Sequence, residues 1–317
     1  MEMTPFNLLV IDVSSHALLL IDALTGQALS KMPYPPEYTP VGLAVTSDLG
    51  KAYLPAVDQS SGGAVFAVNL KACSLYQLPI KLPHPLQFAL APDNNTVYFT
   101  APDGILYSLD TIALKLTTCG QAANQACTCI GLAVSSENVY SAWESDNSGV
   151  IAVFSQNGEL TNEYPVSGIP TNIVYDKSGV VMVPFTSNGT YGEGLFIVRI
   201  HENCPPTILT IQCPACANSN GAYPCQATLA PDGQTAYVVN EDSGSVTIID
   251  LTTGTVVDHF SVGRSISTLT VLPDAHFGVA SSNMFGDLAL IDLVNGRLLS
   301  FTTDNHEFLS SIAVLPR

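Results

Sequence analysis

The chain repeats itself at a nearly fixed spacing. Apolar, strand-like starts recur near residues 42, 87, 131, 172, 226, 268 and 311, separated by 45, 44, 41, 54, 42 and 43 residues. The cleanest copy runs from Pro224 to Gly263, PCQATLAPDGQTAYVVNEDSGSVTIIDLTTGTVVDHFSVG. Its β-prone runs are divided by turns at Pro231-Asp232-Gly233, Asp242-Ser243-Gly244 and Thr252-Thr253-Gly254, which makes the unit a four-stranded antiparallel meander. A sheet that is apolar on both faces cannot bury itself, so its neighbours in space must be further copies stacked against it. Four strands at this period are the spacing of propeller blades, not of a solenoid or a sandwich.

The two ends of the chain complete the count. The segment from Phe6 to Tyr34 holds three strand candidates, NLLVIDV, ALLLIDAL and GQALSKM, and lacks the first strand of the unit. Asp22 stands there where Asp250 stands in the clean copy, after an apolar strand and before a Thr-Gly turn. From Ser311 the chain ends on SIAVLPR, a first strand with nothing after it. Joining the two predicts one all-β domain over residues 1–317, a seven-bladed β-propeller closed by three N-terminal strands plus one C-terminal strand, with no free sheet edge around the ring. The long interval of 54 contains Glu202 to Cys225, read as a cysteine-braced loop between blades 4 and 5. A shorter cysteine-bearing link, Cys119 to Cys129, precedes blade 3.

Charge and cysteine usage narrow the partners and the compartment. Ten Lys plus Arg against 27 Asp plus Glu leave a net charge of -17, which repels nucleic acid and anionic membrane; a diffuse acidic surface of this kind serves solubility or, alternatively, a preference for cationic or neutral ligands. No apolar run approaches the roughly 20 residues of a membrane-spanning helix. Eight cysteines, Cys73, Cys119, Cys127, Cys129, Cys204, Cys213, Cys216 and Cys225, cluster near irregular stretches and suggest disulfides. Cys213-Pro-Ala-Cys216 also has the spacing of a zinc site. Asn94-Asn95-Thr96 and Asn188-Gly189-Thr190 are glycosylation acceptors on turns. Together they predict a secreted or secretory-pathway protein. MEMTPF is no signal peptide, so that reading requires one to have been removed.

The stretch TLAPDGQTAYVVNEDSGSVTIIDLTTGTVV resembles the YVTN-type propeller repeat, and PTNIVYDKSG and APDGILYSLD resemble the related SMP-30 (gluconolactonase)-like group. The repeat spacing extends the resemblance over nearly the whole chain. It implies small-ligand binding at one mouth of the central channel, and its members include lactone hydrolases, lyases and cyclases as well as surface proteins. It also implies a divalent cation, such as calcium, held by a glutamate, two asparagines and an aspartate from separate blades. Asn172 matches the Pro-Asn position of that pattern. The other starts, Gly42, Gln87, Gly131, Gln226, Thr268 and Ser311, contain no carboxylate, so the oxygen set that a hard cation needs is missing and no cofactor is expected.

Candidate side chains therefore lie at the channel mouth, on the starts of inner strands and the turns after second strands. His84 and His306 stand before the inner strands of blades 2 and 7, where an imidazole serves as acid or base. Trp143-Glu144 pairs the single tryptophan with an acid, and Tyr38, Phe185, Glu241, Phe285 and Phe308 extend the lining. The same turns carry Asp58, Glu193 and Asp242. The chain has no Gly-x-Ser-x-Gly elbow, phosphate-binding glycine loop or HExxH. The expectation is a cofactor-independent cyclase, isomerase or lyase, monomeric or weakly dimeric, acting on a small apolar or neutral organic molecule through His84, Asn172, Glu144 and His306. A metal-dependent lactonase and a non-catalytic binding propeller are the alternatives.

Overall fold

The computed structural model describes residues 6–23, 25–60, 62–121, 128–145, 148–176, 179–186, 192–201, 204–213, 222–282, 288–302 and 309–316. Among these residues the strands form seven antiparallel sheets, each built on four strands in chain order. Blade 5 is representative: Pro224–Leu229, Thr235–Asn240, Ser245–Asp250 and Thr255–Ser261 run from inner to outer strand. Blade 7 is shared by the chain ends, its inner strand Leu309–Pro316 pairing with Phe6–Asp12, followed outward by Ala17–Asp22 and Ala28–Pro33. The seven-bladed, terminally closed propeller is thus the observed architecture. In blades 1 and 4 the inner strand is split, into Tyr38–Pro40 and Ala44–Val45, and into Ile169–Pro170 and Val174–Tyr175. Each break follows a proline, which has no N–H to donate to the ladder.

Seven apolar layers hold the ring, one in each gap between neighbouring blades. Alternation along Phe6–Asp12 shows how they form. Leu8 and Val10 face blade 6 with Leu272, Val279 and Leu288, while Leu9 and Ile11 face blade 1 with Leu54 and Phe66. Successive side chains leave a strand on opposite faces, and in a propeller both faces are covered. That is why these strands read as continuous apolar runs. Each fully buried leucine contributes about 1.5–3 kcal/mol, and Leu9, Ile11 and Leu54 are completely covered.

The turns at the ends of the third strands confirm the register inferred from Asp22 and Asp250. Gly26 N–H donates to the Asp22 carbonyl at 2.8 Å, and Gly254 N–H to the Asp250 carbonyl at the same distance. Both glycines adopt the left-handed backbone, φ 71° and 70°, that the turn demands. The Asp250 carboxylate accepts from the N–H groups of Thr252 and Thr253 at 2.7 and 3.1 Å.

One expectation about covalent chemistry changes. Among the described residues Cys73, Cys119, Cys129, Cys213 and Cys225 carry free thiols, not disulfides. Topology keeps them apart. Cys73 packs between blades 7 and 1, Cys213 between blades 4 and 5, and Cys225 between blades 5 and 6. Cys119 and Cys129 share the gap between blades 2 and 3, but one lies on the outer strand of blade 2 and the other on the inner strand of blade 3. Burial pushes the Cys129 and Cys213 thiols up to about 12, so both stay protonated and act as small apolar side chains. Cys127, Cys216 and the side chain of Cys204 lie outside the described residues. Asn94, the first glycosylation acceptor, ties two blades together: its amide nitrogen donates to Ser47 Oγ at 2.8 Å, and its oxygen accepts from Ser47 N–H at 2.7 Å. Asn188 lies outside the described residues.

Candidate functional site

The turns after the second strands and the links into the inner strands gather at one end of the ring, which forms the mouth. Several expected lining residues turn out to be structural. Trp143 is 1% exposed in the gap between blades 2 and 3, and its indole N–H donates to Ser141 Oγ at 2.6 Å. It therefore offers no plate to the mouth. Phe185, also 1% exposed, stacks on Phe196 with ring centroids 4.0 Å apart in the gap between blades 3 and 4. Tyr38 meets the Phe66 ring edge-on at 5.2 Å, and its hydroxyl accepts from Gln77 Nε2 at 3.3 Å. Gln77 belongs to the outer strand of blade 1, so this ring points outward along the blade.

The polar candidates are divided among different blades. His84 is half-buried in the link into blade 2. Asn172 lies in the split of blade 4's inner strand, with its Oδ1 accepting from Ile173 N–H at 2.7 Å. Gly131 of blade 3 packs so closely on this segment that an added Cβ would come within 2.8 Å of the Ile173 nitrogen. Glu144 is half-buried at the end of the second strand of blade 3. His306, Phe285 and Phe308 lie outside the described residues. Asn172's side-chain oxygen is occupied by the N–H of the next residue. Among the described residues no group of three or more His, Cys, Asp or Glu side chains is placed to hold a metal ion. The donors present do not fit the calcium set that the family resemblance implies.

What the fold brings together instead is a cluster around Tyr223, in the link before blade 5. Glu193, in the turn of blade 4, organises it. The Glu193 carbonyl accepts from Cys213 N–H at 2.8 Å, where the outer strand of blade 4 ends. Its carboxylate accepts from Ala222 N–H, from Tyr223 N–H at 3.2 Å and from Thr186 Oγ1 at 3.1 Å. On the other side, the Tyr223 carbonyl accepts from Glu241 N–H at 2.9 Å, and Glu241 Oε1 accepts from Ser267 Oγ at 2.9 Å. Tyr223 is thus gripped by blades 4 and 5 at once.

The grip has a conformational cost. Tyr223 has φ 48°, a left-handed conformation uncommon for a bulky residue, although the Pro224 that follows favours extended backbone before it. The residue stays 38% exposed. Burial pushes its phenol up, and the negative charges of Glu241, Asp242 and Glu144 push in the same direction, so the hydroxyl remains neutral. Tyr223, partly open to solvent, therefore has its phenol within the electrostatic reach of carboxylates from blades 3 and 5. Sequence reasoning found Glu144, Glu193, Glu241 and Asp242 but missed Tyr223. Its signal was an aromatic residue placed directly before an inner strand.

No family model matches this chain, and no curated protein matches its sequence. Solved structures do match. A functionally unknown protein from Desulfotomaculum acetoxidans shares 16% identity over 98% of both chains, with a TM-score of 0.76. Hydrazine synthase from Kuenenia stuttgartiensis shares 13% identity over 87% of this chain and 89% of its own, with a TM-score of 0.74. A putative 6-phosphogluconolactonase from Bacteroides fragilis shares 13% identity over 98% of both chains, with a TM-score of 0.73. At these identities the likeness establishes the propeller fold, and the names attached to it differ in chemistry. Among the described residues no helix is long and apolar enough to cross a membrane.

Proposed function

We propose that this chain is a non-catalytic binding propeller whose mouth, around Tyr223, recognises an organic cation. The observation that carries the reading is Tyr223, 38% exposed and held between two blades by its backbone, with its phenol within the electrostatic reach of the Glu241, Asp242 and Glu144 carboxylates. An aromatic face attracts a cation by about 0.5–1 kcal/mol at an exposed site and about 2 kcal/mol when water is excluded. The charge of -17 adds a long-range field that concentrates cations at the surface.

Binding is favoured over catalysis by what the polar groups already do. The Glu193 carboxylate holds the link in place, the Glu241 carboxylate accepts from Ser267, Asn172 accepts from the Ile173 N–H, and the Asp58 carboxylate closes its turn on Ser60 and Gly62. Recognition requires a fixed ring and a field, whereas general acid–base chemistry requires a group free to exchange its proton with the substrate.

Calorimetric titration with choline and with 3,3-dimethylbutan-1-ol, its neutral isostere, tests the reading. Choline is expected to bind saturably and at least about tenfold more tightly than the isostere, a difference of about 1.4 kcal/mol. Equal affinities, or no choline binding, would contradict it.

A further inference from the structure

A cavity of about 240 Å³ opens between blades 6 and 7, beside the turn that joins the third and outer strands of blade 7, and its lining shares no residue with the Tyr223 cluster. The other blades show why it is there. In them the same turn lies against the outer strand of the blade before it. Leu209 of blade 4 covers Gly254 of blade 5 so closely that a Cβ added to the glycine would fall against its Cδ2, and a Cβ on Gly296 of blade 6 would come within 3.1 Å of Phe260 of blade 5. Gly26 is the counterpart of Gly254 in blade 7, four residues after Asp22 as Gly254 is after Asp250. The blade 6 residue placed to cover it is Ser300.

Strand register fixes that correspondence. Met182, the third residue of Val180–Thr186, stands beside Ile197, and Ile197 beside Leu209. Val279, the third residue of Phe277–Ser281, stands beside Leu290, and Leu290 beside Ser300. Ser300 therefore holds the place of Leu209 with a hydroxyl where leucine carries an isopropyl group, and the space opens next to Thr25, Gly26, Leu290 and Ser300. Leu8, Ile21 and Val279, 2%, 2% and 3% exposed, close its inner end. The half-buried Leu290 and Ala23 and the exposed Thr25 and Ser300 form the part that a ligand reaches.

We infer that this slot binds a small uncharged molecule with a branched aliphatic tail of about four or five carbons and a hydroxyl head. The tail takes against Leu290 and Ala23 the place that Leu209 takes between blades 4 and 5, and the hydroxyl stays at the rim with Thr25 and Ser300. Size sets the upper limit: a cavity of about 150 Å³ lined by Leu, Ile and Phe holds benzene, and pockets for drug-sized molecules span about 300–1,000 Å³, so this one takes a tail and little more. Charge sets the head group. Among the described residues Asp22 is the single charged residue of the lining, its carboxylate accepting from Thr25 N–H at 3.1 Å. A carboxylate entering here would lose water and meet a like charge.

The test is an NMR titration of the ¹⁵N-labelled protein with 3-methylbutan-1-ol, with ethanol and 3-methylbutanoate as comparisons. 3-Methylbutan-1-ol is expected to saturate, with backbone shifts concentrated at Gly26, Leu290 and Ser300. Each buried CH₂ is worth about fourfold in affinity, so ethanol, which lacks most of the tail, is expected to bind at least about tenfold more weakly, and 3-methylbutanoate likewise. Ser300→Leu restores the residue that blade 4 has at this place and is expected to weaken 3-methylbutan-1-ol at least about tenfold while keeping the wild-type thermal transition. Unchanged affinity in the folded variant would overturn the inference, as would equal binding of the three probes or scattered, non-saturating shifts in the wild type. The wild-type titration decides by itself if the variant does not fold.

Discussion

Trp143, near the end of the second strand of blade 3, and Tyr223, in the link into blade 5, do opposite things. Both faces of a blade strand are buried, so alternation does not say whether an aromatic near a strand end reaches the mouth or a gap between blades. Trp143 goes into the gap because Val139 and Ala152 make an apolar bed there and Ser141 supplies an acceptor for the indole N–H. Trp143→Ala is expected to cost about 3–5 kcal/mol in urea unfolding, the usual penalty for a large buried aromatic, and to leave choline affinity unchanged. A cost below about 1 kcal/mol, or a loss of binding, would return the indole to the mouth. The carboxylates were legible in the sequence because turns after second strands are identifiable from spacing. Tyr223 was not, because its exposure depends on a left-handed conformation imposed by Glu193 and Glu241, which are distant in sequence.

At the scale of the element, the blade is set by aspartate-closed turns. Backbone N–H groups of Thr253 and Thr252 hold the Asp250 carboxyl below its usual range. The Ser60 hydroxyl and the Gly62 N–H do the same for Asp58, and the Asn295 side chain for Asp292. A folded-state value lowered in this way adds stability that is present above the unfolded value, about 3.9, and is lost as pH falls through the folded value. The thermal midpoint of the wild type is therefore expected to lose this contribution as pH drops from 5 towards 3. Relief of the net negative charge acts in the opposite direction and equally on close variants. Asp250→Asn keeps the acceptor oxygen and loses the charge. Scanning calorimetry should find it less stable than wild type at pH 7, with the difference narrowing by pH 3. A constant difference across that range would contradict the assignment. These turns, with their Pro-Asp-Gly and Thr-Gly signatures, made the strands readable. The splits at Pro40 and Pro170 were not foreseen, because a single proline in an inner strand has a local effect that repeat spacing averages out.

For the whole molecule, closure follows from covering every gap between blades. Leu8 and Leu9, adjacent in one strand, send side chains into the gaps on either side of the terminal blade. Spacing revealed that closure because a repeat with an orphan strand at one end and a missing strand at the other has one economical solution. The disulfide framework failed for the same reason that the fold succeeded. Blade geometry places the described thiols in separate gaps or on separate strands, which proximity in sequence does not report. The closed ring leaves its mouth as the meeting place of several blades, and there Tyr223 joins charges from blades 3 and 5. The most direct measurement of that claim is the choline affinity of Tyr223→Ala against wild type at one ionic strength. A loss of roughly 3- to 30-fold, the range of a partly desolvated cation–aromatic contact, is predicted. An unchanged affinity in the folded variant would contradict the account.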